Sequence, residues 1–204
     1  MQLADNPKVT YALIKLEDLL TEQRESPHPD FAHITSHKDQ VLAYYQPVFS
    51  ARHIPDLKKA EFESFLLFRN NNHWDSLHRV GKYMTEDMNL LREALGILVD
   101  ESRPVRDRLN ELGLERYWGA NSKVSHLGMP VLTAILHVTQ PEKYGVWNNT
   151  SDAGLKKVRL WDIGWGAQPA GDSFVEMNEI YLYFAESLGI DLWTLEALWW
   201  IMKK

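Results

Sequence analysis

Apolar residues recur at every third or fourth position through most of the chain, which is the spacing of an amphipathic helix. In residues 7–25, for example, the apolar positions are Val9, Leu13, Leu16 and Leu20. No convincing run alternates apolar and polar residues, as a half-buried strand would. The pattern therefore predicts an all-α protein.

Helix-capping and helix-breaking residues divide the chain into about nine helices. Helix starts are predicted at Pro7, at Ser36 with Asp39, at Thr85, at Ser173 with Glu176, and at Asp191. Breaks or turns are predicted at residues 26–30, Pro47, residues 70–74, Gly113 and Gly189. We expect a single helical domain over residues 1–204, in which residues 1–84 pack on residues 85–202.

Composition narrows the class of protein. With 204 residues, 45% of them hydrophobic, the chain can bury one substantial core. There are 22 Lys and Arg against 28 Asp and Glu, and the net charge of -6 argues against strong non-specific DNA binding, although not against a local basic patch. The absence of Cys excludes disulfides, thiolate zinc sites and cysteine nucleophiles. Without a signal-like N-terminus or an 18-residue apolar run, we expect a cytoplasmic protein with no membrane partner.

Three arginines, Arg103, Arg106 and Arg108, are the most basic local feature. Acidic residues interleave with them in sequence, namely Asp100, Glu101, Asp107 and Glu111. This alternation favours an ion-paired surface over a phosphate-binding track. A DNA-binding protein should instead show a positive band around residues 103–130.

Residues 117–155 are the stretch that suggests a function. The turn HLGMP at 126–130 precedes an apolar helix, and its glycine lets an anion approach the unpaired amides at the helix start. From this we predict contacts to a nucleic-acid backbone by Lys123, His126, Gly128 and Met129. The alternative is a plain turn between two helices.

The run VSHLGMPVLTAIL resembles the hairpin of the helix-hairpin-helix DNA glycosylases, which have a Leu-Pro-Gly-Val-Gly-x-x-Thr-Ala pattern. Gly128 matches the first glycine, Pro130 replaces the second, and Thr133 and Ala134 match the Thr-Ala pair. The run PEKYGVWN is similar to the segment that leads to the catalytic Asp of that family. The resemblance covers roughly residues 85–202 and implies a glycosylase-like helical fold.

The resemblance implies base excision from DNA, with the target base flipped into a pocket. The residues depart from the catalytic pattern of the family. The Lys of its bifunctional members falls on Leu132, and the catalytic Asp falls on Asn148, which carries no charge. Asp152 lies one helical turn further on and is the candidate replacement.

The leading hypothesis is therefore a glycosylase-like module that recognises DNA or a base without standard excision chemistry. Its base pocket is predicted to involve Trp118, Asn121, Trp147, Asn148 and Asn149, with Trp165 as a further stacking residue. One alternative is an active monofunctional glycosylase that uses Asp152. Another is a structural or protein-interaction module, which the acidic net charge favours.

The eight histidines offer no recognisable metal motif. His33 and His37 are spaced to share one helix face, with Asp30 nearby, but three ligands are needed for a catalytic zinc site. We therefore predict neither a metal nor a cofactor. The sequence leaves the oligomeric state and the choice between DNA and RNA open.

Overall fold

The computed structural model describes residues 3–113, 123–160 and 169–204, and within these ranges every regular element is a helix. The α-helices are α1 (Pro7–Glu25), α2 (Pro29–Ser36), α3 (Lys38–Val48), α4 (Lys59–Phe65), α5 (Phe68–Asn71), α6 (Gly81–Met84), α7 (Met88–Val99), α8 (Val105–Glu111), α9 (Met129–Thr139), α10 (Asn149–Lys157), α11 (Ala170–Leu188) and α12 (Leu192–Met202). Short 3-10 helices lie at Leu3–Asp5, Ile54–Asp56 and Leu77–Val80.

The all-α prediction is confirmed for these residues, but the predicted number of about nine helices is too low, since the described residues contain twelve. The difference comes mainly from short helices such as α2, α5 and α6. A helix of four to eight residues completes only one or two turns, so an apolar period has no room to appear.

Several predicted helix ends are confirmed. The first helix begins at Pro7, where the Asn6 side chain accepts a hydrogen bond from the Lys8 amide. Gly189 ends α11 with a φ of 61°, in the left-handed region that glycine tolerates. Asp191 caps α12 by accepting from the Thr194 amide at 2.7 Å. These ends depend on neighbouring residues alone.

Other predicted caps are wrong. Ser36 is the last residue of α2 rather than the cap of α3. Asp87, not Thr85, caps α7, while the Thr85 hydroxyl donates to the Gly81 carbonyl. Ser173, a third predicted cap, lies inside α11 and does not begin it. A Ser or Thr hydroxyl satisfies a preceding helical carbonyl as readily as a following amide, so these residue types alone do not mark a helix start.

The helices enclose one cluster of buried apolar side chains that draws on both ends of the chain. α1 packs on α11 and α12, α2 packs on α12, and α3 packs on α9. α9 is deeply buried, since Met129 and every residue from 131 to 138 are buried. The turn that precedes α9 is therefore anchored to the core.

Candidate functional site

The turn at residues 126–130 leaves less free backbone than its sequence suggests. The Leu127 amide donates to the Val124 carbonyl at 3.1 Å, and the Gly128 amide donates to the His126 carbonyl at 3.0 Å. Pro130 has no amide hydrogen, and the Val131 amide bonds to Gly128. The amide of Met129 is thus the one at this helix start without an acceptor among the described residues.

A cavity of about 320 Å³ lies directly beside this turn. It forms where this turn, the start of α10, the end of α12 and the segment before α6 meet. Its lining consists of Trp74, Asp75, Ser76, Leu77, Val80, His126, Gly128, Pro130, Val131, Asn148, Asn149, Thr150, Trp200 and Lys203. Four residues that the sequence singles out, His126, Gly128, Asn148 and Asn149, therefore share one cavity.

Aromatic rings and one amine give the cavity its chemistry. Trp74 is buried and Trp200 half-buried in its wall. The Lys203 Nζ lies 3.8 Å from the centroid of the Trp200 ring and donates to the Thr150 hydroxyl at 3.2 Å. Desolvation lowers the pKa of Lys203, while the charge of Asp75 opposes this shift. The cavity thus combines flat apolar surface with a cation and a carboxylate.

Asn148 has a structural task at the edge of the cavity. Its Oδ1 accepts from the amides of Thr150 at 2.7 Å and Ser151 at 3.0 Å, which caps α10. Its Nδ2 donates to Glu196 Oε1 at 3.0 Å. The side-chain amide is therefore engaged by the protein itself, whereas the exposed Asn149 side chain has no hydrogen-bond partner among the described residues.

Glu196 lies behind this wall and is 3% exposed. Burial raises its pKa to about 8, against the opposing effect of the hydrogen bond from Asn148. The acid is therefore neutral near pH 7. Glu196 and Trp200 on α12 and Lys203, which directly follows that helix, have the spacing of a single helix face.

Other predicted site residues lie away from the cavity or outside the described residues. Asp152 is 5% exposed, and its Oδ1 accepts from Trp147 Nε1 at 2.9 Å, so both side chains belong to the core. Met129 contributes a buried side chain, and Lys123 pairs with Glu93 at 2.6 Å. Three further predicted residues lie outside the described ranges: Trp118, Asn121 and Trp165.

The predicted pairing of the three arginines with carboxylates is confirmed, but the expected solvent-exposed position is wrong for Arg108, which lies in the core. Arg103 pairs with Glu111 at 2.5 Å, and Arg106 lies 3.3 Å from Asp107. Arg108 is completely buried and pairs with Glu101 at 2.8 Å. With Lys123 also paired, the described part of residues 103–130 does not form the positive band expected of a DNA-binding surface.

Sequence reasoning missed Trp74, Ser76, Trp200 and Lys203, which come from distant parts of the chain. One signal was present in α12, where a glutamate interrupts an otherwise apolar helix in register with Trp200. A second signal is visible only in the structure. Among the described residues four non-glycine residues have positive φ, and Ser76 and His126 are the two that line the cavity.

The described residues contain no group of three or more side chains that could hold a metal ion. The ring centroids of His33 and His37 lie 4.3 Å apart with the rings tilted by 41°, and His37 Nδ1 bonds to the His33 carbonyl. None of the described helices is long and apolar enough to cross a membrane.

Comparison of the chain with protein-family models, curated proteins and solved structures gives no match.

Proposed function

We propose that the cavity beside the hairpin holds one unstacked nucleobase, and that the protein recognises nucleic acid without excising the base. The observation that carries this proposal is the shared lining: the hairpin, the Asn148–Thr150 segment and two tryptophans meet around about 320 Å³. Pockets for flat heteroaromatic ligands combine stacking surface with a few polar groups. Trp200 provides the ring, and Asn149 and Lys203 provide the polar groups.

The backbone of the nucleotide has a matching position at the start of α9. This helix has 11 residues, and its positive end and the Met129 amide lie next to the cavity-lining residues Gly128 and Pro130. A single available amide supports one phosphate contact. The Met129 amide of the glycosylase-like hairpin therefore binds the phosphate in this proposal, although the other amides of the turn are bonded within the protein.

The carboxylates support recognition over excision. An excision reaction uses a carboxylate beside the sugar of the flipped nucleotide. The resemblance aligns Asn148, an amide, with that carboxylate, and Asp152 lies in the core with Trp147 as its partner. The described carboxylate that lines the cavity is Asp75, on a segment outside the region that resembles the glycosylases.

Titration with nucleosides and nucleoside monophosphates, followed by tryptophan fluorescence, tests the proposal. We expect saturable quenching in the native protein and an affinity loss of about tenfold or more in Trp200→Ala, since one base stack contributes about 1–3 kcal/mol. Tyr44→Ala is the control, because Tyr44 is exposed and lies away from the cavity. Absence of binding at millimolar ligand would reject the proposal and leave a helical interaction module.

A lesion-containing oligonucleotide panel separates recognition from catalysis. We expect no release of free base. Release that is abolished in Asp152→Asn and retained in Asn148→Ala would instead support a monofunctional glycosylase.

A further inference from the structure

An exposed aromatic residue adjoins the cavity on its outer side. The side chain of Tyr83, on α6, is 42% exposed, and its ring centroid lies 4.9 Å from that of His126. His126 lines the cavity, and so does Val80, three residues before Tyr83. The two rings therefore continue the aromatic surface of the cavity towards solvent.

Two cations lie close to Tyr83 in the sequence. Arg79 and Lys82 are exposed and form no ion pair with any described residue. The Lys82 Nζ lies 4.7 Å from the centroid of the Tyr83 ring. Carboxylates of the protein neutralise Arg103, Arg106 and Arg108. The exposed Arg79 and Lys82 have no such partner among the described residues and can therefore pair with an anion.

The backbone at His126 provides an independent observation. Its φ of 63° lies in the left-handed region, which is unfavourable for a residue with a Cβ. Such strain persists where the surrounding structure holds it, and it concentrates at ligand sites. Here it directs an imidazole towards the rim between the cavity and Tyr83.

We propose that Tyr83 and His126, with Arg79 and Lys82, form a second subsite that stacks the nucleotide next to the one in the cavity and pairs with its phosphate. This inference rests on the proposed function and specifies its ligand as single-stranded nucleic acid of at least two nucleotides. A stack on Tyr83 requires a base with a free face. Two unpaired cations can neutralise about two phosphates, fewer than the roughly 6–10 contacts of a strongly salt-dependent DNA-binding protein.

The first experiment is a length series of oligothymidylates with one, two and four nucleotides. We expect binding to tighten about tenfold from one nucleotide to two in the native protein, because a second base stacks. Tyr83→Ala should abolish this gain and leave mononucleotide affinity unchanged, while Tyr83→Phe should retain it. Tyr44→Ala, at another exposed tyrosine, should behave as the native protein. Circular dichroism establishes that each variant is folded.

The second experiment measures the salt dependence of tetranucleotide binding. With two phosphate contacts on a single strand, log K should fall with log salt at a slope of about -1.4. Lys82→Gln should reduce the slope to about -0.7. Matched oligoribonucleotides form a second arm: equal affinity would show that the sugar is not read, and a preference would identify DNA or RNA as the ligand.

The outcomes distinguish this inference from the proposed function. If mononucleotides bind but dinucleotides bind no tighter, or if Tyr83→Ala keeps the gain, the second subsite is rejected and the cavity proposal stands. A blunt duplex that binds as tightly as the single strand, with a slope steeper than about -4, also overturns it. If no mononucleotide binds, the proposed function itself fails.

Discussion

At His126 the backbone conformation lowers stability, whereas the position of the side chain favours ligand binding at the proposed site. The left-handed conformation of a non-glycine residue costs about 1 kcal/mol, yet it brings the imidazole next to Tyr83 at the rim of the cavity. Arg159 has nearly the same φ, 61°, but does not line the cavity. The two residues therefore allow strain and ligand binding to be measured separately.

We expect His126→Gly to be about 1 kcal/mol more stable than His126→Ala, because glycine has no Cβ to strain in this conformation. Both variants should bind nucleotide more weakly than the native protein. Urea denaturation and fluorescence titration provide the two measurements.

Arg159→Gly and Arg159→Ala are the matched pair. They should show the same order of stability with no loss of nucleotide affinity. Equal stability of the Gly and Ala variants at position 126 would show that the native conformation there is not strained.

At the scale of the element, the position of the cavity depends on how closely α10 approaches α12. These two helices supply Asn149, Thr150 and Trp200 to its wall, and Lys203 directly after α12 completes it. A Cβ built on Gly154 of α10 would lie 2.4 Å from Trp199 Cε3, and Trp199 is completely buried. The absence of a side chain at Gly154 is therefore what permits this contact.

Gly154→Ala should lower the free energy of unfolding by about 1–3 kcal/mol, because a buried indole must shift to admit a methyl group. Gly96→Ala on α7 is the control, since a Cβ there meets no atom within 4 Å. It should raise stability by about 0.5–1 kcal/mol, because alanine is the better helix former. Chemical denaturation of both variants measures this difference, and a stabilised Gly154→Ala would contradict the close contact.

For the whole molecule, buried titratable groups limit the pH range of stability. Burial lowers the pKa of His137 from 6.5 to about 4 and lowers that of His73 as well. Burial raises the pKa of Glu196 from 4.5 to about 8. The histidines take up protons more readily in the unfolded chain, and Glu196 releases its proton more readily there.

These groups predict a stability maximum near pH 6.5. Below it, both histidines are protonated preferentially in the unfolded chain, which outweighs the single opposing effect of Glu196. Above it, the unfolded chain has an ionised Glu196 while the folded protein keeps it neutral, so stability falls by about 2 kcal/mol between pH 6.5 and 8.

Glu196→Gln should remove the decline between pH 6.5 and 8, because glutamine keeps a polar group of similar size without a titratable proton. Thermal unfolding across this pH range provides the measurement. A decline that persists unchanged in Glu196→Gln would assign it to another group.

Some residues of the candidate site could be predicted from the sequence because they belong to short segments with recognisable turn or capping patterns. His126 and Gly128 were identified from the turn, and Asn148 and Asn149 from the segment that caps the next helix. Trp74 was treated as the end of a polar loop. Nothing in residues 70–74 signals that the wall it forms is completed by the last helix of the chain.

The surroundings of Asp152 could not be predicted from helical spacing. Its spacing from Asn148 places it one helical turn away, and the sequence alone allows it to face a ligand or the core. In the folded protein its carboxylate accepts a hydrogen bond from Trp147 Nε1. Helical periodicity specifies the relative directions of side chains but not which neighbour each direction meets.

The sequence by itself determined the all-helical class of the described chain, the start of α1, the end of α11, and the pairing of the arginines near residue 105. Each depends on side chains a few positions apart, whose distances the helix geometry sets. Only the tertiary structure decided that Trp74 and Trp200 meet across a cavity, that Asp152 is buried, and that Glu196 is uncharged near neutral pH. These properties arise from packing between distant segments and from the water that packing excludes.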